Sequence, residues 1–254
     1  FGPQEIKKKR LPPLEGADKR QAIDLYDSEI LYTDHCFGQL MNKMETLGLL
    51  EESLVIVTSD HGESFGEWDR WGHGFPIESQ IRVPLIIHYP KGIAKPRKIS
   101  AQVQTSSIYS TILSVAGIPL SSVENPSEST LNLISEATSS GEGFPTYTYS
   151  ERFLPKKHYC TLRTNRWRYL RLWSEKDGKG HAGEYVFRLA NNSDESQDVS
   201  KMNPQLLESL REKCKLFRER ALKNTIQAKE GDSEPAEEIG EETREQLRAL
   251  GYLD

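Results

Sequence analysis

The residues best suited to chemistry in this sequence lie in one short run, Thr58-Ser59-Asp60-His61-Gly62-Glu63. Asp60 offers an anionic oxygen and His61 an imidazole nitrogen, a donor pair that suits a divalent cation. Gly62 lets the backbone turn sharply or approach a ligand closely. Two ligands do not complete a metal site, so the run reads equally well as a turn in which Asp60 caps the next segment and His61 packs beneath it. Further on, the loop Gly66 to Phe75 carries Trp68, Trp71, Gly72, His73 and Gly74. A histidine flanked by glycines can swing toward an anionic group as a cation or general acid, or stand on a surface turn without a role. Glu63 and Glu67 are carboxylates that could orient a metal-bound histidine or simply be solvated.

These residues need elements to hold them. Leu54-Val55-Ile56-Val57-Thr58-Ser59 is short, β-branched and apolar without alternation, the pattern of a strand covered on both faces of a parallel sheet. The Asp60–His61 pair then follows the strand's carboxyl end, where ligands of α/β sheets bind. Before it, Ile23, Tyr26, Ile30, Phe37, Leu40, Met41, Met44 and Leu47 recur at helical spacing, predicting an amphipathic helix over 18–50 with Gly48 as its stop. Val83 to Tyr89 reads as a second central strand, and Thr105 to Ala116 as a helix stopped by Gly117 and Pro119. Helix alternating with buried strand is the α/β signature. Residues 7–16, with Pro12-Pro13, read as an exposed loop, and 121–145, rich in Ser, Glu, Gly and Pro, as a surface excursion.

After Thr146 the texture changes to short runs bounded by turn residues: Thr146 to Ser150, Tyr159 to Thr164, Trp167 to Trp173 and Tyr185 to Leu189, with Asp177-Gly178 as a hairpin turn. A small antiparallel sheet is expected. A helix over 203–223 carries Leu206, Leu207, Leu210, Cys214, Phe217 and Leu222 on or near one face. Residues 225–243 are acidic and poor in apolar side chains, so disorder is expected there, with a short docking helix at Arg244 to Leu250. The expected units are 1–145, an α/β portion; 146–224, the antiparallel sheet with its helix; and 225–254, the tail.

Composition narrows the classes. The 254 residues carry 33 Lys+Arg against 38 Asp+Glu, and the excess of acids sits in 225–254, which holds nine acids and three bases. The body is near neutral, which argues against a global basic field for nucleic acid. No apolar run approaches the roughly 18 residues that cross a bilayer. Cys36, Cys160 and Cys214 are widely spaced, with no C-x-x-C pair. The sequence opens at Phe1 rather than Met, without an apolar signal core, and reads as a piece of something longer.

Tyr26-Asp27-Ser28-Glu29-Ile30, Gly38-Gln39-Leu40, Leu47 to Leu50, the Leu54 to Glu63 strand and turn, and Ile81-Arg82-Val83-Pro84-Leu85-Ile86-Ile87 together resemble the sulfatase family of the alkaline phosphatase superfamily. Gly183 to Leu189 with the helix from Pro204 is similar to that family's C-terminal subdomain, and Leu247 to Leu253 to the tail of bacterial members. The resemblance is collinear over nearly the whole chain. It implies an alkaline-phosphatase-like mixed or parallel sheet sandwiched by helices, of which this chain carries part, followed by the small antiparallel sheet and packed helix.

It also implies that Asp60 and His61 form the second half of a divalent metal site, with Ca2+ the usual ion and Zn2+, Mn2+ or Mg2+ as competitors. His73 would contact the sulfate or phosphate group and help the leaving oxygen. The family nucleophile, a formylglycine or serine in C/S-x-P/A-x-R, has no match here, nor has the family's first pair of metal aspartates. The implied function is part of a sulfuric ester hydrolase, with the 254 residues alone inactive. A phosphodiester or phosphonate hydrolase of the same superfamily and a non-catalytic interaction domain are the competing readings. Export to the periplasm or secretion follows by family analogy only.

Between Arg152 and Trp173 the sequence holds seven Lys or Arg, interleaved with Phe153, Tyr159, Trp167, Tyr169 and Trp173. Such a patch binds nucleic acid or a sulfated glycan, whose anionic groups suit Arg forks. Alternatively, it is a strand with aromatics facing the core and charges facing water. On the glycan reading, Arg166 and Arg168 line the substrate entrance.

Overall fold

A computed structural model describes residues 14–119, 132–138, 146–154, 157–176, 179–189 and 197–231, with Glu241 and Glu245. Helix α1 spans Gly16–Thr46, as its apolar spacing predicts. It ends where Gly48 takes φ +67° and the amides of Gly48 and Leu49 reach back to the carbonyls of Glu45 and Met44, both at 2.9 Å. That double closure satisfies the last carbonyls, and only glycine takes the left-handed turn without a Cβ penalty. None of the helix's residues is buried: Leu25, Ile30, Leu31 and Leu40 stand open to solvent.

Strands β1, Val55–Thr58, and β4, Leu85–His88, pair with each other, Val55 opposite His88 and Thr58 opposite Leu85. The pairing is antiparallel, as a mixed sheet allows, whereas the first apolar run by itself suggested a strand with parallel neighbours. Continuous apolarity reports what flanks a strand, not its direction. Here the chain returns through a loop instead of a helical crossover, and Ile86 is left 61% exposed. The returning loop holds the hairpin of β2, Ser64–Phe65, with β3, Trp71–Gly72, and then the single-turn helix α2, Glu78–Ile81. Helix α3, Ser107–Val115, stops at Gly117 with φ +71°.

The stretch read as a surface excursion contains helix α4, Leu133–Thr138, with Leu133 and Ile134 buried. Asn132 caps it, its side-chain oxygen accepting from the amides of Ile134 and Ser135 at 3.0 and 3.2 Å. The rest of 120–145 lies outside the described residues.

Strands β5, Tyr147–Leu154, β6, Lys157–Thr164, β7, Trp167–Lys176, and β8, Lys179–Arg188, form one antiparallel meander in chain order. Lys176 lies opposite Lys179; Asp177 and Gly178, read as the hairpin turn, lie outside the described residues. Helix α5, Pro204–Gly231, packs on one face, setting Leu206, Leu207, Leu210, Cys214 and Phe217 against Cys160, Leu162, Tyr169 and Val186.

The other face receives the returning loop: Ile77, Trp68 and Phe75 meet Leu170, Leu172, Tyr185 and Phe187. Two covered faces explain why β7 does not alternate. Arg168, Tyr169 and Leu170 are all fully buried, against the expectation of charges toward water.

Helix α5 also runs to Gly231, past the 223 at which its apolar pattern stops. Residues such as Gln227, Ala228, Lys229 and Glu230 are good helix formers, so a polar acidic segment need not be structureless. The expected helix at Arg244 to Leu250 lies, apart from Glu245, outside the described residues. No described helix is long and apolar enough to cross a membrane.

Candidate active site

Strand β1 delivers the chain to a tight polar turn. The Ser59 hydroxyl donates to the carbonyl of His61 at 2.6 Å, and the His61 amide donates to Asp60 Oδ1 at 2.9 Å. These bonds hold the Asp60 and His61 side chains on one side of the turn, with Asp60 Oδ2 and His61 Nε2 3.6 Å apart. His61 Nδ1 lies 2.9 Å from the Gly62 carbonyl. A carbonyl only accepts, so Nδ1 is the donor, and Nε2 is the ring nitrogen left to face a cation. Gly62 is required by close approach: a Cβ there would overlap the Ser79 carbonyl oxygen, and its amide donates to the Gln80 carbonyl at 2.7 Å.

The structure brings His73 to this turn. Its ring stacks on His61 with centroids 4.0 Å apart and an interplanar angle of 28°. Glu63 Oε2 accepts from His73 Nδ1 at 3.3 Å, leaving His73 Nε2 turned to other partners. Of the two readings of Glu63, the structure therefore favours orientation of a histidine, although the histidine it touches is His73. Glu67 accepts from the Phe65 amide at 2.6 Å and belongs to the hairpin turn. Trp68 and Asp69, with φ +56° and +52°, twist that turn so that Trp68 reaches the edge of Tyr185 and Phe187. This places backbone strain directly beside the site loop.

One buried residue that the sequence reading passed over ties the pieces together. Gln80, 3% exposed, accepts from the amides of Gly74 and Phe75, both at 2.6 Å, and donates to Ser64 Oγ at 2.7 Å and the Gly72 carbonyl at 3.1 Å. One side-chain amide thus holds both flanks of His73. Nothing in the mixed stretch Phe75 to Val83, which also holds Glu78, Ser79 and Arg82, singles Gln80 out.

The antiparallel sheet buttresses the same loop. Arg163 of β6 grips the buried Glu78 through two bonds of 3.3 Å. Arg168 donates to the Pro76 carbonyl at 2.5 Å and to Thr161 Oγ1 at 2.9 Å. Burial lowers the Arg168 pKa to about 9, with Glu78 pulling the other way, so the side chain remains a cation at neutral pH. Its expected place at a substrate entrance is therefore corrected: it is fully buried and supports the His73 loop from behind. Arg166 is exposed in the turn between β6 and β7. Arg152 of β5 presses its guanidinium against Gly74, where any Cβ would collide with it, and so sets a cation beside His73 that the sequence had not singled out.

Two comparisons of sequence bear on this arrangement. A family model described as sulfatase matches residues 2–118, and one described as N-sulphoglucosamine sulphohydrolase, C-terminal, matches residues 66–215, more than half of the chain. The chain belongs to the sulfatase family. Arylsulfatase K of Bos taurus is 31% identical over 190 residues, covering 72% of this chain and 34% of that protein. The chain thus spans about a third of the length of the curated relatives it matches.

Among solved structures, BT4656 in complex with its substrate D-glucosamine-2-N,6-O-disulfate superposes with a TM-score of 0.68 at 22% identity, covering 93% of this chain and 47% of that one. The phosphonate monoester hydrolase of Agrobacterium radiobacter gives 0.51 at 20% identity, covering 75% and 38%. These likenesses establish the alkaline-phosphatase-like fold of the family member. Among the described residues, no group of three or more His, Cys, Asp or Glu side chains is placed to hold a metal ion.

Proposed function

We propose that this chain supplies half of the metal site and a substrate-contacting histidine to a sulfuric ester hydrolase whose remaining active-site residues lie in a longer chain. The observation that supports it is the convergence of Asp60, His61 and His73 on one turn, with the His61 and His73 rings stacked at 4.0 Å.

The donor set fits a divalent cation in part. Asp60 Oδ2 and His61 Nε2, 3.6 Å apart, are spaced as neighbouring ligands of one ion, and the bond from Nδ1 to the Gly62 carbonyl orients the His61 ring. Calcium is the first ion to test, with zinc, manganese and magnesium as competitors. When bound, the cation would polarise the ester and offset its negative charge.

The chain's own residues do the rest of what is proposed. His73 points a ring nitrogen at a sulfate oxygen or the leaving oxygen, and the Glu63 carboxylate behind it orients the ring. Arg152 adds positive charge for an anionic group. A sulfated sugar of the kind bound by BT4656 is the substrate class to screen first, with Arg166 a candidate for its distal contacts. Two ligands and a histidine cannot align a nucleophile, so the 254 residues alone are inactive on this reading.

The test uses the longer protein and the 254-residue chain side by side on an aryl sulfate, a glucosamine sulfate and a phosphonate monoester. Turnover of sulfate esters by the longer protein, lowered about 100-fold or more by H73Q, is the expected outcome. Turnover by the 254-residue chain would overturn the proposal. Faster phosphonate hydrolysis would transfer it to the phosphonate hydrolases. No activity on any ester would favour an interaction domain.

A further inference from the structure

On the face of the sheet opposite the His73 loop, two cysteines face each other where α5 lies on the sheet. Cys160 Sγ of β6 and Cys214 Sγ of α5 are 3.1 Å apart, 54 residues apart in sequence, and 2% and 3% exposed. Nonbonded carbon atoms settle about 3.5–4.0 Å apart, so the two sulfurs are in closer contact than ordinary packing requires. A disulfide needs them roughly 1 Å closer still. Leu162, Tyr169, Val186 and Leu210 pack around them, with Arg171, Glu151 and Arg218 near enough to act on Cys160. The third cysteine, Cys36, is exposed on α1.

We propose that Cys160 and Cys214 are a covalent modification site, closing into an intramolecular disulfide that staples α5 to β6 when the chain meets a disulfide oxidant. The Cys160 thiolate attacks one sulfur of the oxidant, forming a mixed disulfide and releasing one thiolate. The Cys214 sulfur, its proton passed to that thiolate, then attacks Cys160 Sγ and releases the second. Two protein thiols are oxidised and one external disulfide is reduced to two thiols. The Cys160 thiol is held below its ordinary pKa, first by the hydrogen bond from Cys214, with Arg171 acting the same way and burial opposing both. Cys160 is therefore the attacking partner. Burial of both sulfurs means that exchange proceeds through transient lifting of α5, or during folding before α5 docks.

The test uses the C36S chain, which removes the exposed thiol, held in an oxidised and reduced glutathione couple with and without enough denaturant to loosen α5. The expected result is a chain lighter by two hydrogen masses. A tryptic digest then joins the peptide His158–Arg163 to Cys214–Lys215, and the link is lost on reduction. The C36S/C214A chain should instead gain one glutathione at Cys160. Two alkylatable thiols in both conditions, or separate glutathione adducts on Cys160 and Cys214 with no linked peptide, would overturn the proposal.

Discussion

Replacing Gln80 by Leu keeps the volume of a buried side chain and deletes four hydrogen bonds around His73. The amides of Gly74 and Phe75 lose the acceptor they share at 2.6 Å, and the Gly72 carbonyl loses its donor at 3.1 Å. A buried polar group stripped of its partner costs about 1–3 kcal/mol. Two orphaned amides therefore favour local opening of the loop by about 2–6 kcal/mol. At about 1.4 kcal/mol per factor of ten, their hydrogen exchange should accelerate roughly 30-fold at the least and up to about 20,000-fold.

The Gly62 amide is an internal control. Its acceptor is the backbone carbonyl of residue 80, which the substitution leaves in place, and amides of β6 and β7 should also keep their rates. Q80E retains the acceptor for both amides and should change them far less. Exchange at Gly74 and Phe75 within about threefold of the unsubstituted chain, or acceleration spread equally over β6 and β7, would refute the clamp.

Three further outcomes are expected. Burial lowers the His158 pKa below its ordinary 6.5, against the Glu151 hydrogen bond; the unfolded chain then binds the proton first, so this group's contribution is present above about pH 6.5 and lost as pH falls below it, and denaturant titrations across that window should show a flatter profile for H158Q. Gly62→Ala drives a Cβ into the Ser79 carbonyl and should cost about 1–3 kcal/mol, read as a lower denaturant midpoint, whereas an unchanged midpoint would mean the turn yields freely. Arg168→Met removes the donor to Pro76 and Thr161 and should cost about 1–3 kcal/mol, while Arg166→Met at the exposed turn should stay within about 0.5 kcal/mol, and equal effects would show that burial does not separate the two arginines.

The local elements were legible because their causes are local. Apolar residues at helical spacing and Gly48 define α1 and its end. β-branched runs define β1 and β4, and turn residues mark out β5 to β8. Asp60, His61 and His73 stood out by type and spacing, and the strand end at Thr58 places the first two, whereas the stacking of His73 on His61 came from the structure.

What the sequence could not determine depends on which segments meet. The direction of β4 against β1 is invisible in composition, because an apolar run reads the same both ways. Arg168 looked like a solvent-facing cation until a second layer, the 68–77 loop, covered the face of β7 on which it stands. Gln80 carries no motif at all; its role comes from reaching the amides of Gly74 and Phe75, Ser64 and the carbonyl of Gly72 at once. Hydrogen-bond partners distant in sequence are chosen by packing, so only the tertiary structure could show that one buried amide bonds both flanks of His73.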